Sequence, residues 1–204
     1  MTLKIGVLGS TSGSDMQAII DAIEAKKLDA EIVVVLSNKK SHIIERAKKH
    51  WLEGIHIAPN KMGKEEYDRL IDAELEKRGV ELLLLIGYMK IMSDWFVQKW
   101  YGKAMNIHHS LLPAFGGGMD KDVHQAVLDT GCKVTGCTLH FVTEIVDSGP
   151  IIAQKCVPVA EDETVDTLKA KVQKAEQEVI IQAIEQFRNG KIQLEGDKVK
   201  ISSA

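Results

Sequence analysis

The chain has 204 residues, of which 45% are hydrophobic, so it can bury the core of one globular domain, which we predict over residues 1–204. Its formal net charge is -3, with basic and acidic residues intermixed, which argues against a protein that binds nucleic acid through its charge. The longest apolar run, 82–86, is too short to cross a bilayer. We expect a cytoplasmic protein without nucleic-acid or membrane partners, whose three cysteines, lacking C-x-x-C spacing, are buried thiols.

The first half of the chain alternates strand-like apolar runs with helical periodicity. Strands are predicted over 3–8, 32–36, 54–58 and 80–86, and helices over 41–50 and 64–77. A further helix is predicted after the first strand, where Met16, Ile19, Ile20 and Ile23 have helical spacing. We expect Ser14 or Asp15 to cap the first helix. This alternation predicts an α/β fold with a doubly wound, mostly parallel sheet flanked by helices.

The second half has a different pattern. Two strand-like runs, 134–142 and 151–159, precede a long helix predicted over 164–188. Five apolar residues of that helix are predicted to face the core: Leu168, Val172, Ala175, Val179 and Ala183. The segment 190–202 alternates around Gly196-Asp197, which indicates a terminal hairpin.

The loop over residues 9–14 follows the first predicted strand, at the sheet edge where open α/β proteins bind ligands. Backbone N–H groups at the start of the next helix favour a phosphate. The loop has neither the G-x-G-x-x-G pattern nor a lysine after Gly13, so a single phosphate suits it better than a dinucleotide or ATP. A turn without any ligand is the alternative, and the Asp15 carboxylate would repel a phosphate unless it faces away.

Asn106 and His108 lie two residues apart at the predicted end of a short strand, so their side chains point the same way. An amide and an imidazole together suit acyl transfer, because both can donate to an oxyanion while the imidazole moves a proton. Asp147 is the candidate carboxylate that orients His108 and raises its pKa; the alternative is that Asp147 only orders its turn. Ser110 lacks the G-x-S-x-G context of a serine nucleophile.

Two other histidines carry weaker signals. His124 is expected on a helix, either as a partly buried surface residue or as a substrate contact. His140, within an apolar strand, is predicted to be a hydrogen-bonded core residue. No histidine or cysteine spacing matches a metal site, so we predict no metal.

Several separated segments resemble the folate-dependent formyltransferase family, most closely its phosphoribosylglycinamide (glycinamide ribonucleotide) formyltransferase branch. The segments that carry the resemblance are 13–15, 87–93, 96–100, 106–113, 134–142 and 147–150. The resemblance implies a Rossmann-like formyltransferase fold and direct transfer of a formyl group from 10-formyltetrahydrofolate to the amine of 5'-phosphoribosylglycinamide in de novo purine biosynthesis. It also implies small-molecule substrates, no metal, and a monomer or homodimer.

The same resemblance assigns roles to individual residues. His108 would be the acid/base, Asn106 would help to polarise the formyl oxygen, and Asp147 would raise the pKa of His108. The substrate-binding residues would be Gly13, Ser14, Asp15, Gln173 and Glu176. The folate-binding residues would be Lys64, Met89, Lys90, Ile91, Met92, Asn106, Val142, Thr143 and Glu144, with Lys64 also matching a basic residue near the substrate.

The chain departs from the family pattern in places. Asp15 stands where asparagine is usual, Lys64 and Lys90 stand where arginine is common, and His109 replaces a common proline. The segment 116–120 is longer than in many members and is predicted to be a mobile loop near the substrate.

Two alternatives remain open. A formyltetrahydrofolate deformylase would share the scaffold and the His108-His109-Ser110 run, although such enzymes usually carry an N-terminal regulatory domain, whereas this chain opens with its first catalytic strand. A non-catalytic folate- or nucleotide-binding module would keep a pocket but would not need Asn106, His108 and Asp147.

Overall fold

The computed structural model describes residues 1–117 and 120–202 of the chain. The helices are α1 Ser14–Glu24, α2 His42–Lys49, α3 Lys64–Lys77, α4 Asp94–Lys99, α5 Asp120–Asp129 and α6 Val165–Arg188. The strands are β1 Leu3–Gly9, β2 Ala30–Ser37, β3 Gly54–His56, β4 Leu82–Ile86, β5 Ala104–His108, β6 Val134–Phe141, β7 Ile151–Pro158, β8 Ile192–Glu195 and β9 Lys198–Ile201.

Seven strands belong to one sheet with the order β3-β2-β1-β4-β5-β6-β7. The pairs β1–β2, β1–β4, β2–β3 and β4–β5 are parallel, and β6–β7 is antiparallel. Parallel neighbours need a crossover between them, and α1, α2 and α3 lie in those crossovers. The prediction of a mostly parallel, doubly wound sheet flanked by helices is therefore confirmed.

The chain divides into two compact units, of which the first comprises Met1–Asn106 and Val142–Glu144. All five residues of β4 are buried, as expected for a strand covered on both faces. Against this sheet pack the fully buried side chains of Tyr67, Ile71 and Leu75, which share one face of α3. Each buried side chain of this kind contributes about 1.5–3 kcal/mol of hydrophobic free energy.

The second unit comprises Ile107–Phe141 and Ile145–Ala204. Its long helix α6 buries all five of the residues predicted to face the core, and the Thr164 hydroxyl caps its start by accepting from the N–H of Thr167. Strands β8 and β9 pair antiparallel around Gly196-Asp197, where the sequence predicts a terminal hairpin.

Two local expectations are wrong, and one short helix was not predicted. Helix α1 is preceded by Gly13 in the left-handed conformation, and neither Ser14 nor Asp15 caps it, because both already lie inside the helix. Helix α4 is not predicted from the sequence, because six residues are too few to show a helical period. Of the three cysteines expected to be buried, Cys137 is buried but Cys132 is only half-buried. Cys156 is exposed, because β7 lies at the edge of the sheet.

Within the described part of the chain, no helix combines the length and hydropathy needed to cross a bilayer.

Candidate active site

His108 is the last residue of β5 and is only 5% exposed. Its Nδ1 lies 3.4 Å from Oδ2 of Asp147, and its Nε2–H donates to the carbonyl oxygen of Phe115 at 3.0 Å. Both ring nitrogens therefore face acceptors, an arrangement that stabilises the protonated imidazole. The predicted meeting of His108 with Asp147 is present in the structure.

Asp147 lies at the centre of this site. Its Oδ2 also accepts from the backbone N–H of Gly117 at 2.8 Å, and its Oδ1 lies 3.7 Å from Nε2 of His140. Its backbone is left-handed, with φ of 55°, a conformation that aspartate tolerates better than most residues. One carboxylate thus faces two imidazoles and one backbone amide.

His140 is the residue of this cluster that sequence reasoning did not place in the site. It is buried, and its Nδ1–H donates to the carbonyl oxygen of Phe141 at 2.9 Å, which confirms the predicted hydrogen-bonded core histidine. That bond leaves Nε2 directed towards Asp147. A usable signal existed, because His140 is the penultimate residue of a strand, as polar site residues often are. We call His108, His140 and Asp147 the strand-end cluster.

Burial and the neighbouring carboxylate have opposite effects on the pKa of His108. Burial lowers the pKa of His108, and the Asp147 carboxylate and the Phe115 carbonyl only partly oppose this effect. Asp147 thus raises the pKa of His108 as predicted, but the net direction is downward. The pKa of Asp147 is lowered, chiefly by the hydrogen bond from His140. The result is an ionised carboxylate beside an imidazole that readily gives up its proton.

A buried hydroxyl fixes the chain that follows His108. Thr138 donates to the carbonyl of Ser110 at 2.7 Å, and it accepts from the N–H of Leu112 and from Nε2 of Gln154, both at 2.9 Å. The Ser110 hydroxyl donates to the carbonyl of Ala114. This bond gives Ser110 a structural role, in agreement with the absence of a serine-nucleophile motif.

Gly149 follows Asp147 at a point of close backbone contact. A Cβ atom built at Gly149 would overlap the carbonyl oxygen of Phe141 and would lie 3.3 Å from Nδ1 of His140. Only glycine fits this position without moving one of these groups.

The predicted phosphate loop lies in the first unit. Gly13 has φ of 68°, and a Cβ there would overlap Ile43, so its glycine is required by helix packing as well as by the turn. The buried Ser10 hydroxyl joins the loop to its surroundings by donating to Oδ1 of Asn38 at 2.6 Å and accepting from the N–H of Met89 at 3.0 Å. Sequence reasoning missed Arg46, whose Nε–H donates to the carbonyl of Ser12 and which brings a positive charge to the loop.

Ser14 and Asp15, the other predicted phosphate-loop residues, begin α1. Asp15 is 5% exposed in the first turn of that helix, where the helix dipole stabilises a carboxylate.

The predicted folate-binding residues all lie in the first unit. Met89 and Ile91 are 48% and 64% exposed, so their apolar side chains are accessible to a ligand. Met92 and Val142 instead belong to the buried core around Phe96. Buried apolar residues of this kind can support a pocket wall from behind.

The polar members of the folate set are more scattered. Lys64 is exposed at the start of α3, and the ammonium group of Lys90 lies 5.0 Å from the ring centre of Tyr67. Thr143 is half-buried, and Glu144 accepts from Nε2 of Gln98 at 3.4 Å. Asn106 is half-buried in β5, in register with Leu85 of β4.

The predicted substrate residues of α6 lie in the second unit. Gln173 is half-buried, whereas Glu176 is 1% exposed, and Oε1 of Glu176 lies 2.5 Å from Nδ1 of His109. His124 is 1% exposed, so the prediction of a partly buried surface residue is wrong; its ring centre lies 6.0 Å from that of His109.

Among the residues that the structure describes, no group of three or more His, Cys, Asp or Glu side chains is arranged to hold a metal ion. The loop predicted to be mobile over 116–120 includes Gly118 and Met119, which lie outside the described residues.

Comparison with known proteins gives consistent matches. The formyl transferase family model matches residues 3–184. Phosphoribosylglycinamide formyltransferase of Haemophilus influenzae is 34% identical over 193 residues, which are 94% of this chain and 90% of that protein. The crystal structure of glycinamide ribonucleotide transformylase 1 from Symbiobacterium toebii superposes with a TM-score of 0.92 at 35% identity, covering 99% of this chain and 95% of that one.

A human relative is much longer. The trifunctional purine biosynthetic protein adenosine-3 of Homo sapiens is 40% identical over 201 residues, which are 97% of this chain but only 19% of that protein. The chain thus spans about a fifth of the length of this relative.

Proposed function

Because the chain belongs to the formyl transferase family, we propose that it transfers a formyl group from 10-formyltetrahydrofolate to the amine of 5'-phosphoribosylglycinamide in purine biosynthesis. The family predicted from the sequence motifs is confirmed by the comparisons. The names of relatives of similar length support phosphoribosylglycinamide as the acceptor, and the folate donor is implied by the resemblance of the sequence to the family. The single observation that carries the chemistry is the buried His108 ring within 3.4 Å of the Asp147 carboxylate at the end of β5.

The reaction needs one proton to move. The amine lone pair attacks the formyl carbon, the bond from that carbon to N10 of the folate breaks, and its electron pair stays on N10. The amine must lose a proton and N10 must gain one. A buried imidazole with a lowered pKa is neutral near physiological pH, so it has a nitrogen lone pair that can take the proton of the amine and then readily pass it on, as general acid–base catalysis requires.

We propose different tasks for the two ring nitrogens of His108. When the single proton of the neutral ring is on Nδ1, Nδ1–H donates to the ionised Asp147, which fixes the ring orientation and leaves Nε2 as the catalytic atom. In this structure Nε2 is bonded to the carbonyl of Phe115. We therefore expect the contact with the Phe115 carbonyl to break, and Nε2 to give up its own proton, before Nε2 can take the proton of the amine.

The remaining roles are part of the proposal. Asn106, two residues before His108 in β5, donates its amide N–H to the oxygen of the tetrahedral intermediate. Gly13, Ser14 and Asp15 hold the substrate phosphate at the start of α1, with Arg46 as a nearby positive charge. Gln173 and Glu176 contact its ribosyl-glycinamide part.

The folate is held by Lys64, the segment 89–92 and the segment 142–144. The cytoplasmic location, the absence of a metal, the single domain, and the choice between monomer and homodimer stay predictions.

The test is an assay of the purified chain with 10-formyltetrahydrofolate, run with and without phosphoribosylglycinamide. Formylated product that appears only with the amine supports the proposal. Formate released at the same rate without the amine indicates the deformylase alternative, and binding of both compounds without turnover indicates a binding module. His42→Ala is the matched control for histidine variants, because the His42 side chain is 82% exposed and the proposal gives it no role.

A further inference from the structure

A second histidine–carboxylate pair lies beside the strand-end cluster. Nδ1 of His109 and Oε1 of Glu176 are 2.5 Å apart, and the ring centre of His109 lies 6.2 Å from that of His108. The Glu176 side chain is 2% exposed and that of His109 is 24% exposed. We call these two residues the His109–Glu176 pair.

Burying a carboxylate in this way is unfavourable unless a donor compensates it. Apolar residues of similar volume often stabilise a fold as well as a buried histidine–carboxylate pair does. The pair is therefore better explained by a task than by stability. A carboxylate held in one orientation is a fixed acceptor for the N–H or O–H groups of a ligand.

The surroundings indicate which ligand. Gln173 lies three residues before Glu176 on α6, so the two polar side chains are neighbours on one helix face. The pair is also next to the ring that we propose to move the proton of the amine. A substrate that combines a primary amine with sugar hydroxyls offers several donors to an acceptor in this place.

We infer that His109 is a positioning residue, which holds Glu176 as an oriented carboxylate that binds the amine-bearing acceptor substrate. This inference rests on the proposed function. It assigns a role to His109, which stands where proline is common in the family. It predicts no role for His109 in binding the formyl-folate donor.

The inference separates the two substrates kinetically. His109→Ala should raise the KM for phosphoribosylglycinamide about tenfold to a hundredfold, the range for losing a hydrogen bond to a charged group. The KM for 10-formyltetrahydrofolate and kcat should change less than about threefold. His109→Asn keeps an N–H donor near the position of Nδ1, so its acceptor KM should lie between those of the wild type and His109→Ala.

A double-variant cycle tests whether His109 acts through Glu176. Glu176→Gln should also raise the acceptor KM about tenfold to a hundredfold. The double variant His109→Ala/Glu176→Gln should then resemble Glu176→Gln alone. His42→Ala, which removes an exposed histidine 3.0 Å from Glu45, is the matched control and should leave both KM values unchanged.

The outcomes are distinct. Multiplying effects in the double variant, equal rises in both KM values, or an unchanged acceptor KM in His109→Ala would each overturn the inference while leaving the proposed function intact. A wild-type chain that does not formylate the amine would refute the proposed function and the inference with it. Thermal melts of every variant separate binding effects from unfolding, and if His109→Ala does not fold, His109→Asn in the same cycle decides the question.

Discussion

His108 and His109 are consecutive in the chain, and each faces a carboxylate, yet their environments differ. In the strand-end cluster, Asp147 is shared between two imidazoles and a backbone N–H at 2.8–3.7 Å. In the His109–Glu176 pair, one carboxylate faces one imidazole at 2.5 Å. A shared, loosely held carboxylate suits a ring that must gain and lose a proton, whereas a close pair suits a group that must stay in place.

The difference has a backbone origin. His108 is the last residue of β5, whereas His109 lies in the bend that follows the strand, so the two side chains leave the backbone from different local conformations. His108 thereby reaches the loop that carries Asp147, and His109 reaches helix α6. Consecutive identical residues can therefore serve a chemical task and a positioning task.

The largest expected effect is that of removing the His108 ring. His108→Ala should lower kcat about 10²–10⁴-fold, the usual contribution of an acid–base group, without a matching loss of acceptor binding. Steady-state kinetics of His108→Ala and His109→Ala in parallel would check the division of tasks. If both variants lost kcat alike, the two histidines would not differ in role.

Replacing the shared carboxylate should have a smaller effect with a clear pH signature. Asp147→Asn keeps an oxygen acceptor but removes the charge that raises the pKa of His108, so the pKa of His108 should fall further. We expect kcat/KM to fall about tenfold to a hundredfold and its acid limb to move to lower pH. A pH–rate profile measures both, and a limb that moved to higher pH would contradict the assignment.

The His109–Glu176 pair should respond asymmetrically in stability. His109→Ala leaves a buried carboxylate without this donor and should cost about 1–3 kcal/mol of unfolding free energy. Glu176→Gln leaves a neutral amide facing the partly exposed His109 and should cost less. Urea denaturation at neutral pH compares the two, with His42→Ala expected within about 0.5 kcal/mol of the wild type. Equal losses of unfolding free energy in the two variants would show that the buried carboxylate is not the main cause of the loss in His109→Ala.

The smallest effect on rate is expected at His140. His140→Asn should slow the reaction less than about tenfold, because its contact is with Asp147 and not with the reacting atoms. It should raise the pKa of Asp147, since the His140 hydrogen bond is the main cause of its lowering.

A depressed aspartate pKa stabilises the fold above the ordinary value of about 3.9, and this contribution is lost as the pH falls through the folded-state pKa. Between low pH and about pH 5, the unfolding free energy of the His140→Asn variant should therefore rise less than that of the wild type. Denaturant midpoints measured across that range test this, and parallel curves for the two proteins would exclude the linkage.

Much of this fold could be predicted from the sequence because its signals are local. The buried strand β4 is a continuous apolar run, and α3 and α6 are long enough to display a helical period. The six-residue helix α4 is too short to display one. The capping error at α1 arose because a left-handed Gly13 replaced a side-chain cap.

The site was predicted only in part, because its contacts are long-range. Asn106 and His108 follow from strand spacing, and Asp147 follows from a resemblance and a turn. The meeting of His140 with Asp147 and that of His109 with Glu176, 67 positions apart, depend on how strands and helix pack. No local pattern in the sequence predicts that residues so far apart in the chain will be in contact.

Gly149 contributes no functional group. Its backbone lies close to Phe141 and His140, and this close contact helps to set the position of the Asp147 carboxylate two residues earlier. Replacing Gly149 with any larger residue should displace Asp147 without changing any of the groups proposed to take part in the reaction. A mutational screen for essential positions should therefore identify Gly149. Loss of activity at Gly149 would arise from a steric clash and not from the loss of a reacting group.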